Sequence, residues 1–281
     1  MKVLITGAGG MLARALVEAL RGHHVAPFPH RALDVTDGDT VLAAILRAAP
    51  DVVVHTAAWT DVDGCEGDPD RAFAVNAHGT RAVALACRAA GAACCYISTD
   101  YVFDGTKAGP YLEEDRPNPL SVYGASKLAG EAAVLASLDR FWIVRTSWLY
   151  GPGGRHFVRA ILDKARAGDP LRVVDDQIGA PTSTRDVAEA LVTLVATTAY
   201  GTYHLTNAGA CAWYDFALKI LQLAGLDATP VKAISSSELD RPARRPANSR
   251  LRNSRWEALG QPPLRPWDEA LQAYFRAEHG R

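Results

Sequence analysis

The chain has 281 residues and a mass of 30.1 kDa, room for one large domain or two small ones. Hydrophobic residues make up 48% and charged residues 22%, which excludes a disordered, collagenous or low-complexity chain. Lys and Arg number 30 against 31 Asp and Glu, and this near-neutral balance argues against a polybasic nucleic-acid binder.

Met1-Lys2-Val3-Leu4-Ile5 runs straight into a strand-like stretch, so no secretion signal is expected. No apolar run approaches the roughly 18 residues of a membrane span, so no membrane partner is expected either. Val3–Thr6 reads as a buried strand ended by Gly7. Met11, Leu12, Ala15, Leu16, Ala19 and Leu20 then recur at helical spacing up to Gly22. His24–Ala26 is a weaker second strand. The pattern over 39–49 predicts a helix with Val41, Leu42, Ile45 and Leu46 inward, broken by Pro50 before the strand Val52–Val54. A helix over 72–90, a strand over 93–97, a helix over 121–138 and a strand over 141–144 follow. Cys94 and Cys95 point to opposite faces of their strand. With Cys65, Cys87 and Cys211 they make an odd set without C-x-x-C spacing, expected as reduced, mostly buried thiols in the cytoplasm.

Strands alternating with helices imply right-handed parallel crossovers. The fold class expected is α/β, a doubly wound parallel sheet of Rossmann type. Gly151-Pro152-Gly153-Gly154 marks a break. Residues 1–150 then form a dinucleotide-binding domain, and 151–281 are mainly a smaller substrate-binding lobe. Within the lobe, 171–174 and 202–205 look like strands that could return to the main sheet.

Thr6-Gly7-Ala8-Gly9-Gly10-Met11-Leu12-Ala13 joins the first strand to the first helix. Glycines there permit a tight turn and close approach to a pyrophosphate, which the helix N-terminus attracts. Gly7, Gly9, Gly10, Met11 and Leu12 are therefore candidate cofactor residues. An NAD binder places an acid at the end of the second strand, but Pro27-Phe28-Pro29-His30-Arg31 has none. Arg31 suits a 2′-phosphate, so NADPH is favoured, with Asp34 and the adjoining Val35 left for the adenine side.

Tyr123 and Lys127 stand four apart near a helix start and share a face. A carbonyl reductase must give a proton to the nascent alkoxide. A tyrosine does this if its pKa falls from about 10 towards 7, worth about 4 kcal/mol. A neighbouring cation is the right perturber. Alone, Tyr-x-x-x-Lys also fits a solvated helix face. Thr99, however, ends the fourth strand, where ligands bind in open α/β sheets, and its hydroxyl could polarise the substrate carbonyl.

Glycine turn, Thr99, Tyr123 and Lys127 together resemble the extended short-chain dehydrogenase/reductase superfamily. Thr56-Ala57-Ala58 after His55 resembles that group's cofactor wall, and Val75-Asn76-Ala77 its helical Asn segment, which makes Asn76 a further candidate cofactor residue. Four longer stretches resemble the dTDP-4-dehydrorhamnose reductase family: Ser98–Gly105, Arg145–Tyr150, Asp176–Thr182 and Arg245–Leu251. The resemblance implies reduction of the 4-keto group of a dTDP-linked deoxyhexulose to dTDP-L-rhamnose by NADPH, with NADH often accepted. It implies a nucleotide-sugar partner and a homodimer. It makes Tyr123 the proton donor, and Lys127 the residue that orients the nicotinamide ribose and lowers the Tyr123 pKa. Thr99 binds the substrate oxygen. Trp148 lies beside the sugar, Asp100 and Tyr101 lie at or just behind the substrate, and Arg245, Asn248 and Arg250 hold the diphosphate. Some relatives bridge a dimer with Mg²⁺ held by glutamates, one of them on the first helix. Ala15 stands there in this chain, so no metal is expected. A reductase of a related 4-keto-6-deoxysugar, and a non-catalytic subunit like that of methionine adenosyltransferase, remain as alternatives. A dehydratase would need Glu where Tyr101 follows Asp100.

Overall fold

The computed structural model describes residues 1–279. Strands β1 (Lys2–Thr6), β2 (His24–Phe28), β3 (Val52–His55), β4 (Ala93–Thr99) and β5 (Phe141–Thr146) make up the first half of the chain. Between them run helices α1 (Met11–Ala19), α2 (Gly38–Ala48), α3 (Val62–Gly67), α4 (Pro69–Phe73), α5 (Thr80–Ala90) and α6 (Val122–Ser137). The second half adds strands β6 (Leu149–Tyr150), β7 (Leu171–Val174), β8 (Ile178–Gly179), β9 (Thr182–Ser183), β10 (Gly201–His204), β11 (Cys211–Ala212) and β12 (Val231–Ile234). Its helices are α7 (Phe157–Ala167), α8 (Thr184–Val195), α9 (Trp213–Ala224), α10 (Ser254–Ala258) and α11 (Trp267–His279).

Six strands form one parallel sheet in the order β10-β5-β4-β3-β1-β2. Their near-continuous Val, Ile and Cys content is explained by cover on both faces. One face buries Leu12, Ala13 and Leu16 of α1 with Val187, Leu191 and Leu194 of α8. The other buries Val41 and Ile45 of α2 with Val83, Ala84 and Cys87 of α5. Cys95 belongs to the first layer and Cys94 to the second, and all five cysteines are buried thiols. A third core, around Phe216, joins α7, α9, α11 and β7. The chain diverges to either side of β1, towards β2 and towards β3, which opens a crevice at the carboxyl ends of these strands.

Three expectations are corrected. Leu171–Val174 does not join the main sheet. It pairs with Val231–Ile234 in a separate parallel ladder, while Gly201–His204 pairs with β5. The stretch over 72–90 is not one α-helix, because a π-helical segment, Ala74–Gly79, separates α4 from α5. Gly79 lies so close to Val35 that a Cβ would stand 2.8 Å from its Cγ2. Leu42 and Leu46 are exposed, because α2 buries only the stripe through Val41 and Ile45 that meets α5.

Candidate active site

A cavity of about 680 Å³ opens at the carboxyl ends of β1, β3, β4 and β5. It gathers Gly7, Gly9, Gly10, Met11, Leu12, Asp34, Val35, Thr56, Ala57 and Ala58 on one side. Thr99, Asp100, Tyr101, Tyr123, Lys127 and Trp148 line the other.

The glycine turn is closed by Gly10 N–H donating to Gly7 O at 2.9 Å. Gly7 has φ +66, and a Cβ on it would stand 2.7 Å from the Ala57 backbone. Only glycine meets both demands. Gly9 faces open space, and Gly10, which precedes α1, has no side chain to cap the helix's first amides. An open cradle with unclaimed N–H groups at a helix start fits a dinucleotide pyrophosphate. Behind it, Thr6 Oγ1 and His55 Nδ1 are 2.7 Å apart, and His55 Nε2 lies 3.1 Å from Thr80 Oγ1. Burial, aided by the charge of Lys127, pushes the His55 pKa down to about 3, so this brace is neutral.

Ser121 caps α6, accepting from Gly124 N–H at 3.1 Å, and so places Tyr123 in the first turn. Lys127 Nζ donates to Ile97 O at 2.7 Å and sits 4.1 Å above the Tyr96 ring. Burial lowers the Lys127 pKa to about 7, against the opposing pull of Glu131. The expected depression of Tyr123 is not a property of the protein alone. Burial drives its phenol well upward, the Thr99 hydroxyl opposes this, and Asp100 and Tyr101 reinforce it. Thr99 Oγ1 donates to Asp100 Oδ1 at 3.0 Å and accepts from Tyr101 N–H at 3.2 Å. Burial raises the Asp100 pKa to about 7, opposed by the Ser249 and Thr99 hydroxyls. The floor of the cavity is thus a set of proton-bearing oxygens beside a lysine whose charge is in balance near neutrality.

Trp148 has φ +46, a strained backbone for a bulky residue, and stacks on Trp213 at 3.5 Å and 8°. Gly179 makes room for it, since a Cβ there would stand 2.5 Å from the indole.

Five expected contacts lie outside the cavity lining. Arg31 is exposed, and the neighbouring His30 lines the wall in its place. Asn76 is fully buried. It accepts from Trp59 N–H at 2.8 Å and donates to Trp59 O and Ser126 Oγ, both at 3.0 Å, so it braces the wall from behind. Arg245 grips Asp63 through two bonds of 3.0 and 2.7 Å and also donates to Ala243 O. Asn248 donates to Lys107 O and Gly109 O, and Arg250 donates to Asn248 Oδ1 and Ala108 O. Their donors already have protein partners, and they fasten the late segment to α3 and to the loop after β4.

The cavity also takes residues that the sequence did not single out: Trp59, Thr60, Val62, Arg71, Arg155 and Trp213. Trp59 and Thr60 directly extend the Thr56–Ala58 wall, so contiguity was a usable signal. Arg71, stacked 4.4 Å over Trp59, is brought in by tertiary folding, as are Arg155 and Trp213. Among the described residues, neither Arg71 nor Arg155 pairs with a carboxylate. Ala15 packs against the sheet core, and among the described residues no cluster of three His, Cys, Asp or Glu could hold a metal ion. No helix among them is long and apolar enough to cross a membrane.

A glycine cradle facing a strand-end Thr and a buried Tyr-Lys pair defines an extended short-chain dehydrogenase/reductase. More narrowly, the chain belongs to the family described as RmlD substrate binding domain, which matches residues 1–279. It is 46% identical to a dTDP-4-dehydrorhamnose reductase of Streptomyces griseus, over 99% of this chain and 94% of that one. It is 40% identical to a dTDP-4-keto-6-deoxy-D-glucose reductase of Streptomyces niveus, over 97% and 96%. The crystal structure of dTDP-4-dehydrorhamnose reductase from Bacillus anthracis in complex with NADP superposes with a TM-score of 0.96 at 38% identity, covering 98% and 99%.

Proposed function

We propose that the protein reduces the 4-keto group of dTDP-4-dehydro-L-rhamnose to give dTDP-L-rhamnose, using NADPH and accepting NADH. The observation that carries this reading is the meeting of Thr99, Tyr123 and Lys127 with the glycine cradle in one cavity. The activity named for the relatives supports it.

Gly7, Gly9, Gly10, Met11 and Leu12 would hold the pyrophosphate. Asp34, Val35 and His30 would line the adenosine side, and Thr56, Ala57, Ala58 and Lys127 the nicotinamide side. The bound cofactor supplies the hydride. Thr99 orients the sugar's carbonyl oxygen, and Tyr123 gives it a proton. Lys127, charged, stabilises the phenolate left behind. Trp148 and Trp213 offer a flat apolar wall to the deoxysugar. Arg71 and Arg155 take the diphosphate role first expected of Arg245, Asn248 and Arg250, because their donors are unclaimed. On this reading residues 1–150 hold the cofactor, most of 151–281 hold the sugar, and the enzyme works as a cytoplasmic homodimer.

The test supplies the 4-keto sugar, made enzymatically from dTDP-glucose and epimerised, with NADPH and purified protein. A protein-dependent loss of nicotinamide absorbance with dTDP-L-rhamnose as product supports the reading. Turnover only of the unepimerised 4-keto sugar, the substrate class named for the Streptomyces niveus relative, would replace it.

A further inference from the structure

We infer that Glu131 is a positioning residue for Lys127: anchored by Arg145 and Ser98, its carboxylate attracts the Lys127 ammonium and helps to seat it against the end of β4. Tyr123, Lys127 and Glu131 stand on successive turns of α6, and each meets one of three consecutive residues of β4. Tyr123 faces Thr99. Lys127 Nζ donates to Ile97 O at 2.7 Å. Glu131 Oε1 accepts from Ser98 Oγ at 2.5 Å. Across the β4–β5 ladder, Arg145 is the register partner of Ser98. It clamps the same carboxylate through Nε at 2.9 Å and Nη2 at 2.7 Å.

Lys127 and Glu131 are each 2% exposed and Arg145 5%, so water screens none of them. A buried ion pair is poor support for stability, since apolar residues of similar volume often serve as well. This one has its carboxylate one turn beyond Lys127 on α6, where it favours the ammonium as apolar residues would not. The other titratable groups around Lys127 do not substitute for it. His55 on β3 is held neutral, while Tyr96 on β4 and Tyr123 on α6 are phenols whose ionisation burial opposes. Arg145 on β5 faces Glu131, and His204 on β10, facing Arg145, is held neutral.

The inference rests on the reductase reading, and its test separates the two. Lys127 is titrated by NMR in protein labelled with ¹³C-lysine, without substrate, its signal assigned from Lys127→Met. In Glu131→Gln the midpoint should fall by about one pH unit or more, since an opposite charge favours the charged form by that amount. The alkaline limb of kcat/KM should fall with it. The double variant Glu131→Leu/Arg145→Met, which removes both charges and keeps an apolar filling, should show a smaller fall in the same direction, because the opposing Arg145 charge leaves with the carboxylate, with a Tm near that of the parent. It takes the place of the single variant if that one does not fold. An unchanged Lys127 midpoint in either folded variant overturns the inference and leaves the pair a structural one. Inactivity of the parent enzyme towards every 4-keto nucleotide sugar would instead overturn the reductase reading and leave the NMR result standing.

Discussion

Tyr123 and Lys127 show how a residue's chemistry depends on what encloses it. Burial favours the neutral form of both, so the protein alone holds the phenol protonated and the lysine near its midpoint. A protonated phenol is the form a proton donor needs. Tyr123→Phe should lower turnover at least about 100-fold, the usual worth of general acid catalysis, with cofactor affinity kept in a fluorescence titration. Near-normal turnover would remove Tyr123 from the role. The Trp148–Trp213 stack belongs to this scale as well. Trp213→Ala should raise the KM for the nucleotide sugar by about 2- to 10-fold, the worth of one aromatic contact, with kcat much less affected. The spacing of Tyr123 and Lys127 was legible because both lie on one helix, whereas nothing local ties Trp213 to Trp148.

At the scale of elements, the glycine turn and the late arginine motif make opposite cases. The turn is local, and its demands could be read in chain order. Gly7→Ala combines a disfavoured φ with a Cβ 2.7 Å from the Ala57 backbone, so the β1–α1 connection must shift. NADPH affinity should fall by about 5- to 150-fold, the equivalent of 1–3 kcal/mol of local strain. Unaltered calorimetric binding would show that the cradle tolerates a side chain. Arg245, Asn248 and Arg250 form a motif as regular as the turn, yet they act as a clasp between distant segments. Arg245→Ala should therefore lower stability by about 1–2 kcal/mol, as for loss of part-buried charged hydrogen bonds screened in part by solvent, with the KM for the sugar unchanged. A raised KM at constant Tm would return Arg245 to substrate binding.

Over the whole molecule, the second half of the chain completes the first. Helix α8 covers the same sheet face as α1, and β10 extends the sheet beyond β5. Two buried histidines, His55 of the first half and His204 of the second, have pKa values pushed down to about 3. Between that value and the unfolded value of about 6.5, unfolding takes up a proton at each. Asp100, raised to about 7, releases one proton on unfolding above its unfolded pKa and opposes them. For these three groups the balance is about one proton taken up, and His156, lowered by burial as well, acts in the same direction, so stability should fall by about 1–2 kcal/mol per pH unit on acidification from pH 6 to 5. Scanning calorimetry across that range reads the slope directly, and a flat Tm would mean that these histidines are not held neutral.

The strand-helix alternation, the glycine cradle and the Tyr123–Lys127 face were readable from the chain alone, because each rests on neighbours within a few turns or on periodic burial. Partnerships across the fold were not. Whether Leu171–Val174 pairs with the main sheet or with Val231–Ile234 depends on which edge is free after everything else has packed. Whether an arginine meets Asp63, Glu131 or open cavity depends on distances that no spacing encodes, and burial then decides which protons the paired groups keep.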